Sequence, residues 1–319
     1  MGILAMPSSA VSVFSDPFEH QQFMRGGDIA VTVTKGGKFR SELTRIDLHG
    51  LWMQRVNEAL PRIQHTALLN RSGVFFLGDQ NQQPIHHSGM QLTPDHLIFY
   101  SPGSDHYSHT SSQCHWAAMT VTPEQLAASG HALTGRDLTT PTQNRLFQPP
   151  ERPISRLRSL HGAAGKLAAT VPDILARPEV AKALEEELVR AMVQCLIEDT
   201  GTGSDRVRSP RRAIMRRFER VLEENRGKPL YVTEVCSRIG VSERTLRSHC
   251  LEHLGVSPHR YLWLRRMHQA RRGLAVAEQA RTTVTDVATE CGFWELGRFS
   301  VAYRNLFGEK PSATLQREG

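Results

Sequence analysis

Cysteine is scarce and scattered in this chain. The five cysteines among 319 residues stand at 114, 195, 236, 250 and 291, and no two form a C-x-x-C pair. That spacing argues against a thiolate zinc site or a disulfide framework and fits a reduced, cytoplasmic setting. No apolar run approaches the roughly 18 residues that a membrane span needs, so no membrane partner is expected. The start, Met1 to Pro17, lacks a basic segment followed by an apolar one, and no secretion signal is expected. Excess positive charge is also missing from the first 209 residues, which hold 19 Lys and Arg against 20 Asp and Glu, a net of −1. From Pro210 onward the count is 20 against 12, a net of +8, so the whole basic excess of the chain lies in its last third.

That third is also where the chain repeats itself. Glu234, Val235 and Gly240 recur 52 residues later as Asp286, Val287 and Gly292. Leu246, Leu254, Gly255 and Pro258 recur 53 residues later as Phe299, Phe307, Gly308 and Pro311. The offset grows by one inside the turn, so the second copy has a turn one residue longer. Each copy reads as helix, glycine turn, helix, and two such units imply two helices presented to DNA by a single subunit. Double-stranded DNA is therefore the expected partner. The coincident charge supports this, because a surface that releases counterions from phosphates must be basic.

Ahead of the repeat, short segments at 28–34, 39–48, 51–59, 61–69, 74–77, 97–100, 106–109 and 114–121 read as strands, punctuated by Gly36-Gly37, Gly50, Gly78-Asp79 and Pro102-Gly103. Many short strands at this spacing suggest a small barrel or a sandwich. Helical patterns follow at Pro123, from 153 to about 169 and from 178 to about 199. The last carries Val180, Leu184, Leu188, Met192 and Leu196 in one stripe, for packing on the strands or for a subunit contact. Residues 200–209, small and polar with two glycines, read as a linker.

Ser209-Pro210 is a strong helix start. Ile214, Met215, Phe218, Val221 and Leu222 then form an apolar face, with Arg211, Arg212, Arg216, Arg217 and Arg220 as the basic remainder. In the first unit Val235, Cys236 and Ile239 face the core, Ser242 caps the next helix, and Leu246 and Cys250 anchor it. In the second, Thr283 and Asp286 form a capping box, and Val287, Ala288, Phe293, Phe299, Tyr303 and Phe307 make the core. The side chains left over at the reading helices are Arg244, Arg247 and Ser248 in the first unit and Glu295, Gly297 and Arg298 in the second. Arg forks onto guanine O6 and N7, and Glu accepts from cytosine N4. Arg211, Arg216, Arg304 and Lys310 are expected on phosphates, and Trp294 is expected to pack at the turn. Residues 258 to about 277 read as a connecting helix with Leu262, Met267, Ala270 and Leu274 buried. A rigid spacer would set the two reading helices into successive major grooves about 34 Å apart. Gly273, inside that helix, weakens it by roughly 1 kcal/mol.

The run Val284-Thr-Asp-Val-Ala-x-x-Cys-Gly-Phe293, followed by Phe299, Tyr303, Phe307-Gly308 and Pro311 at fixed spacing, resembles the DNA-binding domain of the AraC/XylS family of bacterial transcription regulators over residues 210–317. The resemblance implies two helix-turn-helix units joined by a long helix, an N-terminal cupin-like β-barrel that senses an effector, and activation of catabolic operons. Three positions depart from the family pattern: Tyr231 in place of a Ser or Thr cap, Cys236 in place of a small Ala, and Cys250 in place of a Phe anchor. The second unit is therefore expected to supply the larger share of affinity.

The expected fold is α+β in two domains. Residues 1–200 would form a cupin-like effector-binding and dimerisation domain, with a barrel over about 28–121 and helices over about 123–200. A linker at 201–209 would lead to an all-α double helix-turn-helix domain at 210–319. Trp52, Arg55, Tyr100 and Trp116 are the candidate effector pocket, with Arg62 a further partner for an anion. The expected function is a sequence-specific, effector-responsive activator acting as a homodimer with RNA polymerase. The alternatives are a constitutive or repressing regulator without an effector, or a cupin-type enzyme fused to a DNA-binding domain. Catalysis is disfavoured: His86 and His87 are adjacent with no Glu within reach, and His106 and His109 have a spacing better suited to a helix than a strand. DNA-alkylation repair would need clustered cysteines. No metal and no cofactor are expected.

Overall fold

A computed structural model describes residues 7–135, 137–198, 210–225, 227–277 and 281–316. The expected linker at 201–209 and the Ser209 cap lie outside the described residues, as do the side chains of residues 210–212. The chain opens with β1 (Ser8–Phe14), α1 (Pro17–Phe23), β2 (Gly27–Val33), β3 (Ser41–Asp47), β4 (Trp52–Glu58), β5 (Arg62–Leu68) and β6 (Ser72–Leu77). It continues with β7 (Ile85–His87), β8 (Met90–Leu92), β9 (Leu97–Tyr100), β10 (Asp105–His109), β11 (Cys114–Val121), α2 (Pro123–Thr134) and β12 (Arg145–Phe147). Three helices follow, α3 (Glu151–Thr170), α4 (Pro172–Leu175) and α5 (Pro178–Ile197). The last third is α6 (Pro210–Glu224), α7 (Val232–Ile239), α8 (Glu243–Leu254), α9 (Pro258–Val276), α10 (Val284–Glu290), α11 (Leu296–Phe307) and α12 (Pro311–Leu315).

The strands form two antiparallel sheets, one of seven strands in the order β1-β3-β4-β11-β6-β9-β12 and one of five in the order β2-β5-β10-β7-β8. Neither sheet closes, so the expected barrel is replaced by two open sheets. They share a core in which Ile29, Val31 and Val33 of β2 meet Leu43, Val56, Phe75, Leu77, Ile98 and Trp116 of the larger sheet. Alternation along each strand decides what lies on either side. Phe75, Leu77 and Trp116 point inward, while Val74, Phe76, Ala117 and Met119 point outward beneath α3 and α5. Leu188, Met192 and Leu196 of α5 are part of that outer layer, so the helical stripe packs on the sheet. With both faces covered, the strands read as apolar runs and not as strict alternation.

The five-stranded sheet is covered by the last third of the chain. Ile63 and Tyr107, pointing outward from β5 and β10, join one core with Phe218 of α6, Val235 of α7, Leu246 of α8 and Tyr261 and Leu262 of α9. The second half of α9 contributes Leu264, Met267, Ala270 and Leu274 to a separate core with Val287, Ala288, Phe299 and Tyr303. One helix thus carries both helix-turn-helix units. Gly273 sits where α9 meets α10, and a Cβ there would stand 3.0 Å from Val287 Cγ1. The helix-weakening glycine therefore lets two helices approach. Among the described residues, no helix is long and apolar enough to cross a membrane.

Polar contacts also cross between the sheets and the last third. Arg271 of α9 donates across this boundary to Asp16 at 2.7 Å, and within the last third to Glu309 at 2.8 Å. His268 Nε2 donates to the Val33 carbonyl at 3.2 Å, and Arg260 to the Thr34 carbonyl at 3.3 Å. His65 Nδ1 lies 3.4 Å from Glu219 of α6. Burial raises the Glu219 pKa against the opposing pull of His65 and Arg265. Between α1, β2, α6 and α9 lies a cleft of about 480 Å³ lined in part by His65, Glu219, Arg265 and Arg272.

Candidate nucleic-acid interface

The first helix-turn-helix is α7, the turn at 240–242, and α8. Gly240 takes a φ of +71°, a left-handed conformation that favours glycine, and its N–H closes on the Cys236 carbonyl. Ser242 caps α8 by accepting from the Thr245 N–H. Tyr231 stands at the N-cap of α7 and its side chain accepts no capping hydrogen bond, the weakness expected there. Leu246 and Cys250 are buried, and Arg244, Arg247 and Ser248 are exposed together on the free face of α8.

The second unit is built from α10, the turn and α11. Thr283 and Asp286 form the expected capping box, with each side chain accepting from the other residue's backbone N–H. Gly292 has a φ of +77°, and a Cβ there would lie 2.8 Å from Pro229, so this turn needs glycine for conformation and for space. From its glycine to the next helix the second turn is one residue longer than the first. Phe299 and Tyr303 are buried, while Gly297, Arg298 and Arg304 lie on the exposed side of α11. Arg298 makes a two-pronged ion pair with Glu295, Nε to Oε2 at 2.9 Å and Nη1 to Oε1 at 3.1 Å. Both side chains are mostly exposed, at 85% and 66%.

Lys310 is exposed at the start of α12 and Arg216 on α6; the Arg211 side chain lies outside the described residues. Trp294 is the correction here. It does not pack at the turn but is 74% exposed beside Glu295 and Arg298. The turn's apolar anchor is Phe293, whose ring sits 4.9 Å from Phe299 and under the Arg266 guanidinium at 5.1 Å.

The four candidate effector residues are not brought together. Tyr100 and Trp116 share the space between the sheets, each against Phe75. Trp52 lies under the Arg71 guanidinium, 3.9 Å from its ring centre. Arg55 is on the opposite face of β4, beneath α3, where it donates to His161 Nδ1 at 3.1 Å and His115 Nε2 at 3.0 Å. Burial, followed by the Arg55 charge, lowers His161 to about 3 and His115 to about 4, so both are neutral acceptors near pH 7.

What the sequence reading missed between the sheets is a polar set around Glu58. Its Oε2 accepts from Arg62 Nε at 3.0 Å, Trp116 Nε1 at 3.0 Å and Cys114 Sγ at 3.2 Å. Burial raises the Glu58 pKa, but Arg62, His20 and those hydrogen bonds outweigh it and hold the carboxyl below the usual range. Arg62 also donates to Ser108 Oγ at 2.7 Å, and Tyr100 links His87 and His106. Strand alternation was the signal that could have found this set, since Glu58, Arg62, His106 and Ser108 all fall on inward positions.

Residues 235–317 match a protein family described as "Helix-turn-helix domain". The C-terminal region is a helix-turn-helix domain of the AraC type, as the spacing from Val284 to Pro311 implies. The chain is 39% identical over 95 residues to the probable thc operon regulatory protein of Rhodococcus erythropolis, covering 30% of this chain and 29% of that one. It is 35% identical over 101 residues to the XylDLEGF operon transcriptional activator 2 of Pseudomonas putida, covering 31% of this chain and 64% of that one. The matched part thus spans less than two thirds of either relative. Among solved structures, a probable AraC family transcriptional regulator from Rhodopseudomonas palustris is 36% identical, covering 33% of this chain and 96% of that one, with a TM-score of 0.30. The AraC-like transcriptional activator CuxR is 15% identical, covering 77% and 87%, with a TM-score of 0.41.

Proposed function

We propose that this protein is a sequence-specific transcription regulator that activates an operon in response to a small molecule, and not an enzyme. The observation that carries this reading is the pair of exposed faces, Arg244-Arg247-Ser248 on α8 and Gly297-Arg298 on α11, on two units carried by one helix. Each subunit would read two adjacent major grooves of promoter DNA, with Arg216, Arg304 and Lys310 on phosphates. The names of the relatives, operon regulators and activators, support the functional class.

Residues up to 200 would be the sensing and dimerisation domain of cupin-like type, joined through 201–209 to the DNA-binding domain from 210 onward. An effector site between the sheets is supported by buried polar atoms there. Glu58 Oε1 and Arg62 Nη2 make no hydrogen bond among the described residues, and a small polar ligand could satisfy both. Arg55, on the other face, has no part in that site. Homodimerisation is supported by the edge strand β1, which exposes Val11 and Val13. The setting would be the bacterial cytoplasm, with RNA polymerase as the partner at the promoter.

The test is genome-wide mapping of DNA bound by the full-length protein, followed by footprinting of the strongest site. Protection of two adjacent major grooves per subunit upstream of an operon supports the reading. Uniform, sequence-independent occupancy with and without that operon's substrate overturns it.

A further inference from the structure

The face of α8 opposite its DNA-reading side carries a second chemistry. His249, Glu252 and His253 follow the spacing H-x-x-E-H, which places two imidazoles one helical turn apart with a carboxylate beside them. Both histidines are buried, whereas Arg244, Arg247, Ser248 and Leu251 are exposed. A ligand atom from each of His249, Glu252 and His253 lies within 4.8 Å of the others. A zinc ion with Zn–N bonds of about 2.0–2.1 Å needs its ligands roughly 3.3 Å apart, so side-chain rotation alone could close the set.

The surroundings make this a seam and not an open surface. The β7–β8 turn, with Ser88 at φ 50° and Gly89 at φ 79°, reaches the cluster closely. A Cβ on Gly89 would stand 3.2 Å from Glu252 Oε1 and 3.6 Å from His253 Cε1. The His109 ring of β10 lies over the end of α8, where a Cβ on Gly255 would come within 2.7 Å of it, and it stacks on His86 at 4.6 Å. Imidazole is a common ligand for metals of this class, so His109 offers a further donor beside the cluster. A second acidic and histidine cluster among the described residues, His65, Glu219 and Glu223, is a poorer cation site because Arg265 reaches Glu219 at 3.9 Å.

We propose that His249, Glu252 and His253 bind a divalent transition metal of the zinc class at the seam between the first reading helix and the five-stranded sheet. Two imidazoles and one carboxylate leave a fourth position, facing the sheet, for water or His109. Metal bound there would tie α8 to the sheet by its rear face and leave Arg244 and Arg247 accessible. The site is independent of the effector reading.

The test uses the full-length chain, stripped with a chelator, titrated with Zn²⁺ by calorimetry and counted by mass spectrometry after gel filtration. One Zn²⁺ per chain is expected. His249→Gln with His253→Gln should lower affinity by at least about 100-fold, and Glu252→Gln, at a partly exposed position, by about 10-fold or more. Glu223→Gln, in the other cluster, should change nothing. Because the double variant could misfold, Co²⁺ loading of the wild type supplies a second measurement, with absorption bands of tetrahedral nitrogen and oxygen ligation expected. Less than a tenth of an ion per chain, or affinity unchanged in folded Glu252→Gln and in the double variant, overturns the proposal.

Discussion

Arg298→Ala is the sharpest test of the reading helix in the second unit. In the free protein the guanidinium is held by Glu295 through two bonds, at 2.9 and 3.1 Å, but both partners are mostly in water. An exposed pair of that kind contributes only about 0–1 kcal/mol, so DNA can open it at little cost and its loss should leave the folding stability nearly unchanged. A forked contact on guanine contributes about 1–3 kcal/mol of discrimination, which corresponds to roughly 5- to 150-fold in affinity. Fluorescence anisotropy at fixed salt would compare the footprinted site, its single-base variants and random duplex. The substitution should weaken binding to the intact site by that factor, remove the preference at one base position and change random-DNA binding far less. Equal losses on specific and random DNA would refute base reading. A stability loss well above about 1 kcal/mol would show instead that the Glu295 pair is structural.

Three other perturbations separate phosphate contact, docking and protonation. Lys310→Ala removes an exposed cation at the start of α12 and should weaken specific and random DNA alike while lowering the salt slope by about one; an unchanged slope refutes the phosphate role. Arg271→Met removes the cation shared by the half-buried carboxylates of Asp16 and Glu309, which keep only hydrogen-bond partners such as Phe18 N–H and Thr314 Oγ1, and should cost about 3–5 kcal/mol in denaturant unfolding. A loss below about 1 kcal/mol would mean that water replaces the pair freely. His268 is lowered to about 4, mainly by burial, so the folded protein keeps it neutral while the unfolded chain takes up a proton near the ordinary value of 6.5. Its contribution to stability is complete above pH 6.5 and falls as pH drops toward 4, by at most about 3 kcal/mol. His268→Gln should flatten stability curves over that window, and a curve that stays as steep assigns the acid sensitivity to another group.

The C-terminal third was legible because its signals are local. Ser242, the Thr283–Asp286 box, Gly240 and the i, i+4 anchors each act within one turn of helix, and each appears where the spacing put it. The sheets were legible only as strands. β1 sets Val11 and Val13 on one face, but that face is exposed, so its apolar pattern marks no core, and β12 has three residues, too few for a pattern. Whether a sheet closes depends on pairings such as β1 with β3 or β11 with β4, which join residues far apart in the chain. Arg55 and Trp116 are both plausible pocket residues by type. Register alone decides that one lies under α3 and the other between the sheets. A large ring is normally at least partly buried, and Trp294, 74% exposed, departs from that expectation, with Phe293 taking the inward place beside it.

The period of two in β5 and β10 also bears on how sensing could reach DNA. Arg62 and Ser108 point between the sheets, and Ile63, His65, Tyr107 and His109, at the alternate positions of the same two strands, point toward α6, α8 and α9. A ligand between the sheets would therefore stand one residue, through a single strand, from the side chains on which the DNA-reading helices rest. Such a ligand shifts the arrangement only by its difference in affinity for the docked and undocked states. Among the described residues, the polar contacts that hold the docked arrangement include Arg271 with Asp16, His268 with Val33, Arg260 with Thr34 and His65 with Glu219. Weakening any one should therefore move the protein toward its ligand-bound DNA affinity without ligand. Arg271→Met, measured for DNA binding as well as for stability, distinguishes a coupled interface from a passive one, because a passive interface would lose stability and leave the DNA affinity of the folded protein unchanged.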